Sequence, residues 1–190
     1  ADPASPADQP APAGAVPRSI ALVGAECTGK TSLAIALARE LPALWLPEVL
    51  RGFCERHGRT PRADEQAALV REQLDAEARL LQRAGREGLG WVVLDSTPLV
   101  TALYSLMLFD DDSLLAQAVE HQRRQTLTLL ADVDLPWVAD GILRDGPQVR
   151  ERFHALLVHT LKTNRIPHET VRGDHARRLA TARAAAGANV

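Results

Sequence analysis

The chain has 190 residues, 46% hydrophobic and 24% charged, with a formal net charge of −2. That make-up suits one globular domain with its own core and supplies no global basic field for nucleic acid or an anionic membrane. Its two cysteines, Cys27 and Cys54, form no CxxC and have no histidine at metal spacing, so they read as free thiols in a reducing compartment.

No apolar run approaches the ~20 residues of a spanning helix, and no apolar secretory segment opens the chain. These readings make the cytoplasm the default location. Residues 1–17, "ADPASPADQPAPAGAVP", are rich in Pro and Ala with little to bury, the composition of a disordered tail or linker remnant. An ordered domain over 18–190 is expected to follow. The chain begins without Met, which leaves room for residues upstream.

Ser19–Val23 is a short apolar run ending in glycine, hence a buried strand. "KTSLAIALAREL" then reads as a helix and Ala43–Leu46 as a second strand stopped by Pro47. Asp64 to Arg83 has helical periodicity, with Ala67, Val70, Leu74 and Leu81 along one side, until "GREGLG" breaks it. "WVVLD" (91–95) is the clearest buried strand, and Thr97-Pro98 opens a helix through Leu108.

A helix over Ser113–Gln125, a strand over 126–132, a helix over Pro147–Thr163, a strand over 168–172 and a helix over Asp174–Ala186 complete the reading. Strands alternating with helices predict a mainly parallel sheet covered on both faces. Ligands in such sheets sit at the carboxyl ends of the strands, where acids follow the second, third and fourth strands.

Gly24-Ala25-Glu26-Cys27-Thr28-Gly29-Lys30-Thr31 matches G-x-x-x-x-G-K-[ST] at every fixed position. The glycines let the backbone curl so that successive N–H groups face phosphate oxygens. Lys30 is expected to reach the β- and γ-phosphates and Thr31 to ligand Mg²⁺, while the helix that begins with Lys30, Thr31 and Ser32 adds its N-terminal dipole. Average residue frequencies produce such a match by chance in roughly one chain in a hundred of this length, and a strand before it with a helix after it makes chance rarer still. Cys27 reads as a small loop residue rather than a redox switch.

Asp95 is placed to hold a Mg²⁺-bound water; the alternative is a helix N-cap in "DSTP". Glu48, after the second strand, could accept a proton from an attacking hydroxyl, with Arg51 pairing with it or binding substrate. The alternative is an exposed loop ion pair of little worth. "DLPWVADGILRDG" (134–146) is unlike a structural connector. Arg144 and Arg150 could close over a nucleotide, and Asp140 could anchor a substrate hydroxyl or brace the loop. Trp137 could stack on a planar ring, though a single buried Trp is more often core. The six histidines read as surface or core residues, because His154 and His159 are five apart and poorly set for joint metal ligation.

The phosphate loop, "LPEVLR", "WVVLDST" and "DVDLPWVADGILRD" together resemble the AAA-type ATPase/kinase domain of the NadR family, its ribosylnicotinamide kinase module, over about residues 18 to 180. The resemblance implies a P-loop kinase fold, a three-layer α/β/α arrangement with a central five-stranded parallel sheet and a mobile lid. It also implies ATP and Mg²⁺, with phosphoryl transfer to the 5′-hydroxyl of nicotinamide riboside.

Carried over by position, Lys30 and Thr31 match the phosphate and metal ligands, Glu48 a candidate base, and Asp95 the acid of the family's D-T/S segment. Pro136, Trp137, Asp140 and Arg144 match the lid. The family's "DGLRD" is one residue longer here, "DGILRD", which offsets Arg144. No H-x-G-H motif of a nucleotidylyltransferase occurs, and no N-K-x-D guanine signature, so ATP is the expected donor. The leading expectation is a small-molecule kinase acting on a nucleoside, with oligomeric state open; the alternative is a nucleotide-binding regulatory ATPase module with weak hydrolysis.

Overall fold

The computed structural model describes residues 16–138 and 146–189. In chain order the elements are β1 (Arg18–Val23), α1 (Lys30–Glu40), β2 (Ala43–Leu46), α2 (Val49–His57), α3 (Gln66–Arg86), β3 (Trp91–Asp95), α4 (Pro98–Phe109), α5 (Leu115–Arg123), β4 (Leu127–Ala131), α6 (Gly146–Thr163), β5 (Glu169–Val171) and α7 (His175–Ala188). A single 3-10 turn over Ala63–Glu65 leads into α3. The tail expected over 1–17 falls almost wholly outside the described residues.

All five strands are parallel, in the order β2-β3-β1-β4-β5. Every residue of β3 and β4 is buried, which explains their near-continuous apolar runs, since a parallel sheet is covered on both faces. On one face, Leu33, Ala34 and Leu37 of α1 and Ala182 and Ala186 of α7 pack on Ile20, Leu22 and Leu129. On the other, Leu99 and Leu103 of α4, Ala118 of α5 and Phe153 and Leu157 of α6 pack on Val23 and Leu130. α3 covers Val92 and Leu94 beside them through Ala84, Leu80 and Leu81. The expected three-layer α/β/α fold is the one observed.

One element goes beyond the sequence reading. "VLRGFCERH" forms α2, over residues to which the sequence pattern assigns no element. Pro47 stops β2, and Glu48 then takes the extended N-cap position. The helix is short, contains Gly52 and buries only Phe53 and Cys54, too few apolar positions to show a period. It ends at Gly58, whose φ of 67° is the left-handed conformation that glycine adopts without cost. Elsewhere the element boundaries shift by at most three residues from expectation, the largest at the end of α3, which runs to Arg86.

Candidate active site

The register of the central strands sets the site. Leu22 of β1 lies opposite Asp95 of β3, and Val23 lies opposite Leu130 of β4. The loop leaving β1 therefore emerges between the ends of β3 and β4. Gly24 is demanded there by close approach: a Cβ would meet the Ala131 Cβ and carbonyl oxygen at 3.0 Å and the Thr28 hydroxyl at 3.1 Å. Cys27 and Gly29 both have left-handed φ, 53° and 75°, so the chain curls over Glu26–Gly29 in the manner of an anion nest. Gly29 caps α1 and makes no side-chain cap hydrogen bond to its first N–H groups, the groups that a helix N-terminus offers to an anion.

The loop's side chains are already engaged. Lys30, 8% exposed, donates from Nζ to the Ala25 carbonyl at 2.7 Å, and Thr28 Oγ1 donates to the same oxygen at 2.8 Å. Thr31 Oγ1 donates to Asp95 Oδ2 at 2.6 Å. Asp95 is 1% exposed, and its Oδ1 has no hydrogen-bond partner among the described residues. Burial raises its pKa against the opposing Thr31 hydrogen bond and the Lys30 and Arg51 charges.

The N-cap alternative for Asp95 is not the arrangement found. Thr97 occupies the N-cap of α4, and between the two Ser96 takes a left-handed φ of 74° while its N–H bonds the Leu22 carbonyl at 3.0 Å. A left-handed conformation costs a non-glycine residue about 1–2 kcal/mol, and the strain lies beside the carboxylate that faces the loop.

Glu48 stands across the same space at the start of α2. Its side chain is 12% exposed, with Arg51 Nε at 3.9 Å. Burial raises its pKa; the Lys30 charge opposes this and the Asp95 charge adds to it. An exposed loop ion pair does not describe it. Glu26, Cys27, Lys30, Thr31, Glu48 and Arg51 all line one cavity of about 760 Å³. Its remaining wall is largely apolar, made by Leu50, Pro61, Val100, Tyr104, Leu108 and Phe109, with Leu135, Pro136 and Val138 closing the side nearest the loop.

Trp137, Arg150 and Asp132 do not line the cavity. Trp137 is half-buried rather than core, and its Nε1 donates to Glu26 Oε1 at 2.9 Å, because the segment after β4 runs across the phosphate loop and brings the indole N–H to a carboxylate. Arg150 is 5% exposed and does not line the cavity; it donates to the carbonyls of Leu135 at 2.8 Å and Cys27 at 3.4 Å. Asp132, the acid after β4, is held by Arg172 at 2.7 Å and His154 at 3.5 Å, away from the cavity. Asp140 and Arg144 lie outside the described residues.

The structure also adds residues that sequence reasoning missed. Tyr104 stacks on Phe153 at 4.0 Å and borders the cavity. Thr60 and Pro61 reach it from the loop after α2, pinned by the Arg59–Glu65 pair at 2.7 Å. Arg178 of α7 bonds the Thr28 carbonyl from 150 residues away. Nothing in "RGDHARR" marks that arginine; only the packing of α7 against α1 reveals it.

The donor set fits a magnesium ion. Mg²⁺ takes hard oxygen ligands and is usually held by one or two carboxylates together with substrate phosphates. The Thr31 hydroxyl and the unpartnered Asp95 Oδ1 are such oxygens. No cluster of three or more His, Cys, Asp or Glu side chains suited to a metal occurs among the described residues.

Comparison with known proteins agrees with this geometry. A NadR protein solved in complex with NR superposes with a TM-score of 0.70 at 20% identity, covering 90% of this chain and 52% of that one. A NadR protein in complex with NAD and AMP-PNP gives 0.70 at 19% identity, covering 90% and 50%. A thymidylate kinase from Ehrlichia chaffeensis gives 0.64 at 14%, covering 90% and 99%. The chain thus spans about half the length of the NadR structures it matches, and its fold is that of P-loop kinases.

No curated protein sequence matches the chain. No helix among the described residues is long and apolar enough to cross a membrane. A family model described as an AAA domain matches residues 19–178, from the start of β1 into α7, and the chain belongs to that family.

Proposed function

We propose that the protein is an ATP-dependent kinase of a small hydroxyl-bearing molecule, with nicotinamide riboside as the acceptor. The observation that carries this reading is the convergence of Lys30, Thr31 with Asp95, and Glu48 on one cavity, which continues past the phosphate loop into an apolar chamber. A hydrolytic timer needs only the loop and a water. A chamber of that size behind the phosphate site, with a buried carboxylate at its entrance, provides for a second substrate. The shared fold with the NadR structure solved with NR supports the choice of acceptor.

The steps follow from the residues. The loop amides and Lys30 receive the triphosphate, for which Lys30 Nζ must leave the Ala25 carbonyl. Thr31 and Asp95 would hold Mg²⁺, which when bound would neutralise charge on the phosphates. Glu48 accepts the proton of the acceptor hydroxyl at its carboxylate; its raised pKa makes it a stronger base than an exposed glutamate. Arg51 balances its charge. Positioning and electrostatics do most of the work in this chemistry.

The test is ADP release with nicotinamide riboside beside a panel of nucleosides and sugars. A rate well above the acceptor-free background with nicotinamide riboside, and lower rates across the rest, is the expected result. Flat rates across the panel would overturn the kinase reading in favour of a regulatory ATPase.

A further inference from the structure

Two arginines far along the chain grip the outer side of the phosphate loop. Arg178, on α7, is 2% exposed. Its guanidinium donates to the Thr28 carbonyl at 2.9 Å, the Gly173 carbonyl at 2.8 Å, the Asp132 carbonyl at 3.3 Å and the Asp134 carboxylate. Arg150, on α6, reaches the Cys27 carbonyl at 3.4 Å and the Leu135 carbonyl at 2.8 Å. Neither lines the cavity.

Consecutive carbonyls of the loop are thus held by consecutive helices. In a planar trans peptide the C=O and N–H point to opposite sides. Fixing the Thr28 carbonyl outward therefore fixes the Gly29 N–H inward, and the Cys27 carbonyl does the same for the Thr28 N–H. These are the residues on either side of which the backbone is left-handed, at Cys27 and Gly29. A non-glycine residue at positive φ persists only where its surroundings over-determine it. The carbonyl anchors supply that constraint, together with the Cys27 thiol donating to the Val138 carbonyl at 2.9 Å.

We infer that Arg178, braced by Asp134 and aided by Arg150, is a positioning residue for phosphate recognition: it sets the peptide between Thr28 and Gly29 so that the loop's N–H groups are aimed before a ligand arrives. The inference rests on the proposed nucleotide site. A planar fork holds several carbonyls at fixed angles, whereas a lysine keeps the charge and loses the fork. The Asp134 carboxylate also accepts the Gly173 N–H at 2.6 Å, so it positions the turn before α7 and the guanidinium together.

The experiment compares ATP and AMP affinity by equilibrium titration in Mg²⁺ for the full chain, Arg178→Lys and Asp134→Asn, at a temperature where circular dichroism shows each to be folded. AMP serves as the control because it lacks the β- and γ-phosphates that the loop holds. The expected result is that Arg178→Lys loses at least ~10-fold in ATP affinity, on the scale of a hydrogen bond to a charged group, while AMP affinity changes by less than ~2-fold. Asp134→Asn, which leaves Arg178 in place, falls between the two.

A merely structural arginine lowers the melting temperature without changing the ATP-to-AMP ratio, and that result overturns the inference while leaving the proposed function intact. If Arg178→Lys does not fold, Asp134→Asn decides alone, and an unchanged ratio in it overturns the inference. No ATP binding by the unaltered chain overturns the proposed function and this inference with it.

Discussion

Thr31 Oγ1 donates to Asp95 Oδ2 across 2.6 Å, joining the first turn of α1 to the end of β3. The two side chains are 64 residues apart in sequence and meet because β1 and β3 are neighbours in parallel register, Leu22 against Asp95. The hydroxyl satisfies one carboxylate oxygen and leaves Oδ1 buried with no hydrogen-bond partner among the described residues. An acceptor atom of that kind costs free energy unless something fills its place, and under the proposed function a magnesium ion beside the phosphates would do so. Asp95→Asn keeps the shape and removes the charge. Turnover is expected to fall by at least ~100-fold, on the scale of losing a major electrostatic stabiliser, and the magnesium concentration needed for half-maximal activity to rise. A variant whose magnesium titration superposes on that of the unaltered protein removes Asp95 from the metal site.

Lys30 spends its charge locally in this structure, bonding the Ala25 carbonyl within its own loop at 2.7 Å. The same oxygen also takes the Thr28 hydroxyl, so it keeps a partner when the ammonium swings to a phosphate. Lys30→Ala is therefore expected to cost turnover far more than stability: at least ~100-fold in rate, with a modest change in melting temperature. Steady-state kinetics and a thermal melt on the same preparation separate the two, and near-normal turnover removes the lysine from phosphate binding.

Glu48 gives a pH dependence of defined sign. Burial raises its pKa above the ordinary 4.5, with Lys30 opposing the effect and the Asp95 charge adding to it. As a base it works only when ionised, so turnover is expected to rise with pH through a window above 4.5. Stability moves the other way. The folded state binds this proton more tightly than the unfolded chain, so the associated stability is full below 4.5 and declines as pH rises through the folded value. Glu48→Gln should lose most of the turnover and flatten both limbs. A pH–rate profile in that variant that still rises with the original midpoint assigns the titration to another group.

The parts of this site legible in the sequence are those carried by local pattern. The phosphate loop, the buried strands "IALV" and "WVVLD", and the acid ending β3 declare themselves by spacing and by apolar runs that a doubly covered sheet requires. α2 did not, because nine residues with a central glycine and two buried side chains carry too little periodicity. Trp137 and Arg150 show a different limit. Their residue types suggest contact with a ligand, but nothing in the sequence reveals the partners they have here, the Glu26 carboxylate and the carbonyls of Cys27 and Leu135, which are set by how the segment after β4 crosses the loop. Arg178 was invisible, since the Thr28 carbonyl it holds is brought near only by α7 packing on α1.

The loop after α2 offers a test that is independent of chemistry. Thr60 and Pro61 reach the cavity wall from it, and Arg59 closes the loop by donating to both carboxylate oxygens of Glu65 at 2.7 Å. The Arg62 N–H adds a third bond to the same carboxylate at 2.8 Å. The Arg59 hydrogen bonds, followed by that backbone N–H, lower the Glu65 pKa from 4.5 to about 2. A depressed carboxylate contributes stability that is present above the unfolded value and lost as pH falls through the folded one. The melting-temperature difference between the unaltered chain and Glu65→Gln should therefore be constant above about pH 4.5 and shrink toward pH 2. Because the pair is only partly buried, raising the salt concentration should narrow the difference at neutral pH. A difference that stays the same down to the acid limit, or does not respond to salt, shows that Glu65 acts through packing and that something other than this ion pair holds Thr60 and Pro61 at the cavity.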